Sequence, residues 1–407
     1  MGNTFSQHLS HHGDYVIRKA SALLVLTALA THAQGASPTK QWSTTTLQAA
    51  GINRAVVDSI DAEITSGRYG FVDRMLIIRH GKIAFDKSYT HDYVQAYKDS
   101  VNVTGALNGS DPTGPYNYYN SWWHPYYQRG DLHTLQSVTK TITSIVVGVA
   151  TTRGDFPSLD RPVLSFFTPT DSVQNIDERK RRMTVRHLIT MTAGIDWNET
   201  LPYADPRNTA TGLEVSPDWV KYTLNRPMME EPGTRFNYNS GATEIVASVF
   251  RRATGIDIEE YAARHLFAPL GITHWFWKRT PSGLIDTEGG LYLEARDLAK
   301  LWYLFLHNGQ WDGKQIVSPE YVKASVTPFV PVSTAPNAPS YGLAWWLYPT
   351  GKPSAPWYWG GSGFGGQIPY AMIEQDMIVV FNGWNILPGR PALPARRTME
   401  RLASAAR

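Results

Sequence analysis

Ser137 and Lys140 stand three residues apart near the head of the stretch LHTLQSVTKTITSIVVGVA (132–150). The i, i+3 spacing places both side chains on one face of a helix. The rest of the stretch is almost all apolar, hydroxyl-bearing or small, so the pair is expected to be partly buried. Burial disfavours an ammonium and lowers a lysine's pKa. The Lys140 amine is therefore expected to be neutral near neutral pH and able to take the serine's proton. A serine at a helix N-terminus also has free backbone N–H groups close by, and one of them can hold a developing oxyanion. Nucleophile, base and half of an oxyanion hole would come from one turn, which is the chemistry of acyl transfer.

By itself Ser-x-x-Lys is a weak signal, because a lysine that snorkels from a structural helix gives the same spacing. A second copy, Ser37 to Lys40, contains Pro38 and opens no apolar helix, so it reads as chance. Two further stretches bear on the first. EPGTRFNYNSG (231–241) carries Tyr238, and a buried tyrosine facing a lysine can hold phenolate character and relay protons. Taken alone, it reads rather as a core tyrosine bonded to a backbone group. WGGSGFGGQ (359–367) offers a bare backbone that a substrate can approach closely, or else a flexible turn.

Together and in this order, the three stretches resemble the serine β-lactamase-like hydrolases. That group comprises class C β-lactamases, DD-peptidases, esterases of the same fold and 6-aminohexanoate-oligomer hydrolases. The resemblance covers about residues 65–385, supported by VRHLITMTAGIDWNE (185–199), EGGLYLEARDLAKLW (288–302) and GQWDGKQIVSPEYV (309–322). It implies Ser137 as nucleophile, with Lys140 and Tyr238 exchanging its proton. Tyr238 follows Pro232 by six residues, as in the family's Tyr-x-Asn motif. The third position is Ser240 here, with the amide one place earlier at Asn239, so these two are the implied substrate contacts. The family's edge strand carries Lys-Thr-Gly, His-x-Gly or Trp-Gly-Gly. Two registers fit here, Trp359-Gly360-Gly361 or Gly361-Ser362-Gly363, leaving Trp359, Gly361, Ser362 and Gly363 as substrate-binding candidates. Backbone N–H groups of Ser137 and of residues 361–364 would form the oxyanion hole.

The implied function is hydrolysis of an ester or amide through an acyl-enzyme on Ser137. The implied partner is a small-molecule substrate, and no metal or organic cofactor is needed. No Lys-Thr-Gly exists, so β-lactamase activity is expected to be weak or absent unless an arginine such as Arg207 or Arg279 supplies the cation. The rival reading is a catalytically inactive peptide- or cell-wall-binding protein on the same fold, using the aromatic segment YNYYNSWWHPYY (116–127). That segment equally suits an enzyme cleft or plain cover for a core edge.

These residues need a frame. FVDRMLIIRHGKIAFDKSY (71–89) reads as two β-rich runs around His80-Gly81-Lys82, a hairpin. Residues 92–131 read as a long polar and aromatic loop, and 151–285 as helical and loop-rich. EARDLAKLWYLFLHNG (294–309) has helical spacing and a stop at Gly309. YGLAWWLYP (341–349), GGQIPYAMI (365–373) and MIVVFNG (377–383) read as strands, and TMERLASAA (398–406) as a last helix. Strands at both ends with helices between predict an α+β fold. An antiparallel sheet flanked by helices is built from both chain ends (about 65–150 and 286–407), with an inserted helical part (about 151–285).

The length of 407 residues suits two domains or one composite domain, and 42% hydrophobic against 18% charged residues excludes disorder. With no cysteine, disulfides, thiolate catalysis and cysteine-ligated zinc are excluded. The basic run Arg179 to Arg182 follows Asp177 and Glu178, so it reads as a solvated helix start; no nucleic-acid partner is expected. Arg18 and Lys19 before ASALLVLTALATHA (20–33) make a signal-type segment spanning 1–33, followed by the hydrolase domain at 34–407. This predicts a periplasmic or secreted protein without an obligate membrane span, or an N-terminal anchor if the segment is not cleaved. The arm before it is long for a signal, which leaves the true start open. Substrate identity and oligomeric state are not written in the sequence.

Overall fold

In the computed structural model, which describes residues 37–38, 41–102, 107, 116–203, 205–387 and 389–407, the run Val72–Arg79 folds back on Lys82–Ser88 through His80 and Gly81. Both turn residues have positive φ, 51° and 68°. That is the geometry of a two-residue hairpin whose twist matches its strands. The signal-type segment at 1–33 lies outside the described residues.

Nine strands form one sheet. Their spatial order is Ser43–Thr44, Lys82–Ser88, Val72–Arg79, Met377–Gly383, Ile368–Met372, Trp357–Gly360, Trp346–Pro349, Ser340–Tyr341, Val330–Pro331. Met377–Gly383 pairs antiparallel with Val72–Arg79, Val380 opposite Leu76, so the two ends of the chain share the sheet centre. Among the described strands only Ser43–Thr44 pairs parallel.

Every residue of Val72–Arg79 is buried, and its side chains alternate between two cores. Leu76 and Ile78 join a core that contains Ile142 of the helix Val138–Arg153 and Leu298 of the helix Ala295–Leu306. Met75 and Ile77 join a second core with Val57 of Arg54–Thr65 and Met399 of Ala395–Ala405. A strand covered on both faces needs no polar side, which explains the apolar run 75–78 at its middle. The fold is therefore α+β, an antiparallel sheet between helical layers, with the helix Ser240–Thr254 and shorter helices in the intervening segment. Among the described residues no helix is long and apolar enough to cross a membrane.

Three departures from the sequence reading have local causes. The run 341–349 is two strands, Ser340–Tyr341 and Trp346–Pro349, paired as a hairpin with Tyr341 opposite Trp346. Ala344 takes φ 62°, and a Cβ on Gly342 would lie 2.0 Å from the Ser325 carbonyl oxygen, so chain reversal here depends on a bare glycine. In the segment read as a loop, Tyr93, Tyr97, Leu107 and Tyr118 pack with Trp384 and Ile386 as a small core of their own. In the basic run, Asp177 caps the helix Glu178–Arg182, but Lys180 is fully buried. Its ammonium donates to the carbonyl oxygens of Gln174, Leu224 and Arg226 at 2.9, 2.8 and 2.7 Å.

Candidate active site

The helix Val138–Arg153 is aimed by the turn before it. His133 and Thr134 pair with Leu293 and Tyr292, and Leu135 N–H donates to the Leu291 carbonyl at 2.8 Å. Gln136 then takes φ 47°, a left-handed conformation uncommon for a residue with a side chain. Its amide donates to Thr134 Oγ1 at 3.0 Å. The sharp turn leaves Ser137 at the N-cap position with no side-chain cap bond. Its half-buried hydroxyl meets Lys140 instead, with Nζ 3.0 Å from Oγ.

Lys140 is 1% exposed. Its ammonium also donates to the Glu288 carbonyl oxygen at 2.6 Å and to Glu288 Oε2 at 3.2 Å. Burial alone would lower its pKa, but Tyr238, Glu288 and Glu199 beside it outweigh that and hold it above the ordinary lysine range. The expectation of a neutral amine is therefore corrected: desolvation is present, but it is overridden by neighbours that the sequence reading did not bring together.

Tyr238 hydrogen-bonds to Ser137, and burial pushes its phenol up, with Lys140 pulling it back down and Glu199 pushing it up. The Lys140 ammonium lies 5.3 Å from its ring centroid. Phe236 and Trp346 pack beside the ring with centroids 6.4 and 6.0 Å away, giving that side of the site an aromatic wall. The two residues after Tyr238 are turned inward, at 2% and 1% exposed. Asn239 caps the helix Ser240–Thr254, its side-chain oxygen accepting from Ala242 N–H at 2.9 Å. Ser240 donates its N–H to Glu199 Oε2 at 2.9 Å and its hydroxyl to Glu199 Oε1 at 2.7 Å. Glu199 also accepts from Trp197 Nε1 at 2.8 Å and Tyr203 OH at 2.9 Å. Asn239 and Ser240, the implied substrate contacts, thus hold the tyrosine loop in place.

The glycine run crosses the serine turn. A Cβ on Gly361 would lie 3.1 Å from a Val138 methyl, and one on Gly363 would lie 2.5 Å from the Leu135 carbonyl oxygen. Ser362 is bracketed between them, opposite residues 136–137, and is exposed. Gly361 N–H donates to the Pro369 carbonyl at 3.0 Å and Gly363 N–H to the Gln367 carbonyl at 2.9 Å. Backbone alternation sends the Ser362 N–H the other way. Among the described hydrogen bonds neither Ser362 N–H nor Ser137 N–H has an acceptor. Trp359 and Gly360 belong to the strand proper, opposite Ala371 and Tyr370, and Trp359 packs half-buried on the main core.

Sequence reading missed the carboxylates. Glu288 N–H donates to Glu244 Oε1 at 2.9 Å and to Asp286 Oδ1 at 3.2 Å, and Gly289 N–H donates to Asp286 Oδ1 at 2.9 Å. Burial, then Asp286 and Glu288, hold Glu244 well above the carboxylate range. Burial, then Glu288, raise Asp286 to about 7. Burial and Glu288 likewise raise Glu214, which accepts from Tyr118 OH. The buried Lys278 ammonium lies over the rings of Tyr116, Tyr118, Trp123 and Tyr292 at 5.2 to 5.9 Å. The available signal was a set of acids in apolar or glycine-rich stretches, Glu199 and Glu288 among them. Among the described residues no cluster of acids and histidines has the arrangement of a metal site. Arg207 is bound to Asp205 at 2.7 Å, and Arg279 to Asp257 and Glu259 at 3.3 and 3.1 Å. Both candidate cations therefore already have carboxylate partners.

Comparison with known proteins gives a consistent picture. A family model described as Beta-lactamase matches residues 72–397. Monacolin J acid methylbutanoyltransferase of Aspergillus terreus is 29% identical over 156 residues, covering 35% of this chain and 37% of the relative. The 6-aminohexanoate-dimer hydrolase of Paenarthrobacter ureafaciens is 26% identical over 219 residues, covering 49% of this chain and 53% of the relative. The chain thus spans between about a third and about half of the length of these curated relatives. Among solved structures, EstCE1, a hydrolase with promiscuous acyltransferase activity, superposes with a TM-score of 0.63 at 15% identity. That match covers 86% of this chain and 97% of that one and speaks to the fold.

Proposed function

The chain belongs to the Beta-lactamase family, and on that premise we propose that it is a serine hydrolase cleaving a neutral ester or amide through an acyl-enzyme on Ser137. The observation that carries this reading is the Lys140 ammonium 3.0 Å from a Ser137 hydroxyl that caps nothing and reaches the surface.

In this reading the Lys140–Tyr238 pair first gives up one proton to solvent, and Ser137 Oγ then attacks the substrate carbonyl while its proton passes to the phenolate oxygen of Tyr238, which hydrogen-bonds to Ser137. Lys140 stabilises the charge on the phenol and the serine oxygen. The Ser137 and Ser362 N–H groups receive the oxyanion, which favours the register Trp359-Gly360-Gly361 with Ser362 following it. The tetrahedral intermediate collapses, and the leaving alcohol or amine takes the proton back from Tyr238. Water then attacks the ester on Ser137 by the same route in reverse. An acyl-enzyme is common ground for hydrolysis and acyl transfer, both named among the relatives. The aromatic wall of Phe236, Tyr238 and Trp346 suits an uncharged acyl or alcohol group.

Export to the periplasm or medium is part of the proposal and rests on the basic step and apolar run at 18–33; N-terminal sequencing of the exported protein checks it. The function itself is tested by treating the purified protein with a fluorophosphonate and mapping the adduct, followed by a panel of esters, amides and β-lactams. A single adduct on Ser137 with ester or amide turnover is expected. A folded protein that never labels there would return the assignment to the binding-protein reading.

A further inference from the structure

The reading above uses Ser137, Lys140 and Tyr238, but the nearest full charge to the Lys140 ammonium is none of these. It is the carboxylate of Glu288, with Oε2 3.2 Å from Nζ. Lys140 is anchored to residue 288 twice, by the backbone carbonyl at 2.6 Å and by the side chain. Only the second contact depends on residue 288 being a glutamate.

The structure also holds Glu288 firmly. Its N–H is taken by Glu244 Oε1 and Asp286 Oδ1, and Glu244 Oε1 further accepts Thr287 N–H at 2.8 Å and Thr287 Oγ1 at 3.1 Å. Glu244 Oε2 has no hydrogen-bond partner at full burial. A carboxylate oxygen buried bare is costly, whereas a protonated one is far less so; this agrees with the upward push on Glu244. A neutral Glu244 serves as a clamp on the 286–289 turn and leaves Glu288 to face Lys140.

We propose that the Glu288 carboxylate is a positioning residue for Lys140, holding the amine protonated and fixed on the Ser137 oxygen and so setting the pH at which the site becomes active. The proposal rests on the reading of Ser137 as the nucleophile. The groups facing Lys140 are Tyr238 and Glu199 from two loops and Glu288 from the turn beneath it, with Asp286 of the same turn further off. Those facing Glu288 besides Lys140 are Asp286 on its own turn, Glu244 on the helix Ser240–Thr254 and Glu214 on the short helix Thr209–Glu214. Tyr116 and Tyr118 from the aromatic segment, Tyr203 from the loop after Glu199, and Tyr238 also feel its charge.

The consequence has a definite sign. The active form requires the Lys140–Tyr238 pair to have lost one proton. A negative charge beside the amine makes that loss harder and moves it to higher pH. Removing the charge makes it easier, and a neighbouring opposite charge is typically worth about one to three pKa units.

The test measures kcat/KM against pH for a neutral p-nitrophenyl ester with the full chain and with Glu288→Gln, Glu288→Ala and Glu288→Asp. Thermal unfolding and fluorophosphonate labelling are followed on each. The backbone contact to Lys140 survives in all three variants. The acid limb is expected to move to lower pH by about one unit or more in the Gln and Ala proteins and to stay near the wild-type position in the Asp protein. An acid limb that does not move in a folded Glu288→Gln protein that still labels at Ser137 overturns the proposal. A wild-type protein that turns over the ester without labelling at Ser137 instead overturns the reading beneath it.

Discussion

Gly363 lies against Leu135 so closely that a Cβ on it would sit 2.5 Å from the Leu135 carbonyl oxygen. Leu135 ends the strand-like approach to the serine turn, and Gly363 lies in the glycine run, so this contact fixes how far the two stand apart. Gly363→Ala should separate them. Because both partners are backbone, the separation has no flexible side chain to absorb it. Expected is a loss of kcat/KM of about tenfold or more, consistent with a misplaced oxyanion donor, together with a lower Tm. Ester kinetics and a thermal melt on the same preparation check it; wild-type activity would place the oxyanion donor elsewhere.

Ser137→Ala should abolish ester hydrolysis while leaving thermal unfolding nearly unchanged. The hydroxyl makes no cap bond to its helix, so little folding energy goes with it. Residual activity above about a hundredth of wild type, by single-turnover kinetics, would move the nucleophile to another residue.

The pH dependence follows from two raised groups. Burial would lower Lys140, but Tyr238, Glu288 and Glu199 raise it; burial raises Tyr238, partly offset by Lys140. A pair that holds both protons at neutral pH must lose one to act as a base, so kcat/KM for a neutral ester should climb from about pH 7 to about pH 9. A profile that falls over that range contradicts the assignment.

Lys140→Arg should be nearly inactive. The 1% exposed slot that places Nζ between Ser137 and Glu288 has little room for a planar fork, so a guanidinium would not sit where the compact ammonium does. Burst kinetics with p-nitrophenyl butyrate give the readout; an Arg protein with an undiminished burst would show that a fixed charge suffices.

Benzylpenicillin should be a poor substrate beside p-nitrophenyl butyrate. The stretch offers Trp359, Gly360, Gly361, Ser362 and Gly363, none charged, and so lacks the lysine that a Lys-Thr-Gly version of this segment would present to a carboxylate. Arg207 and Arg279 are bound to acids. A missing charge-assisted hydrogen bond is worth about 1.5–3 kcal/mol, roughly ten- to a hundredfold in affinity. Steady-state kinetics on both substrates decide, and a larger kcat/KM for benzylpenicillin would reverse the preference.

Local geometry is what the sequence by itself determined. Ser137 and Lys140 meet because three residues make nearly one helical turn, and His80-Gly81 reverses the chain because both residues accept positive φ. The end-to-end sheet was legible because strand-length apolar runs are confined to the two ends of the chain. What only the tertiary structure decided are meetings across long stretches of chain. Glu288 is 148 residues from Lys140, and no local spacing could pair them. Their meeting depends on the 286–291 turn packing against the serine helix, and with it the lysine changes from an expected free amine to a held ammonium. Ser240 meets Glu199 for the same reason. The pairing of the glycine run was likewise set at a distance from Ser137, by Pro369 and Gln367, whose carbonyls take the Gly361 and Gly363 N–H groups and leave that of Ser362 over. A side chain's protonation and a backbone donor's direction are set by everything packed around them, and most of those neighbours are distant in sequence.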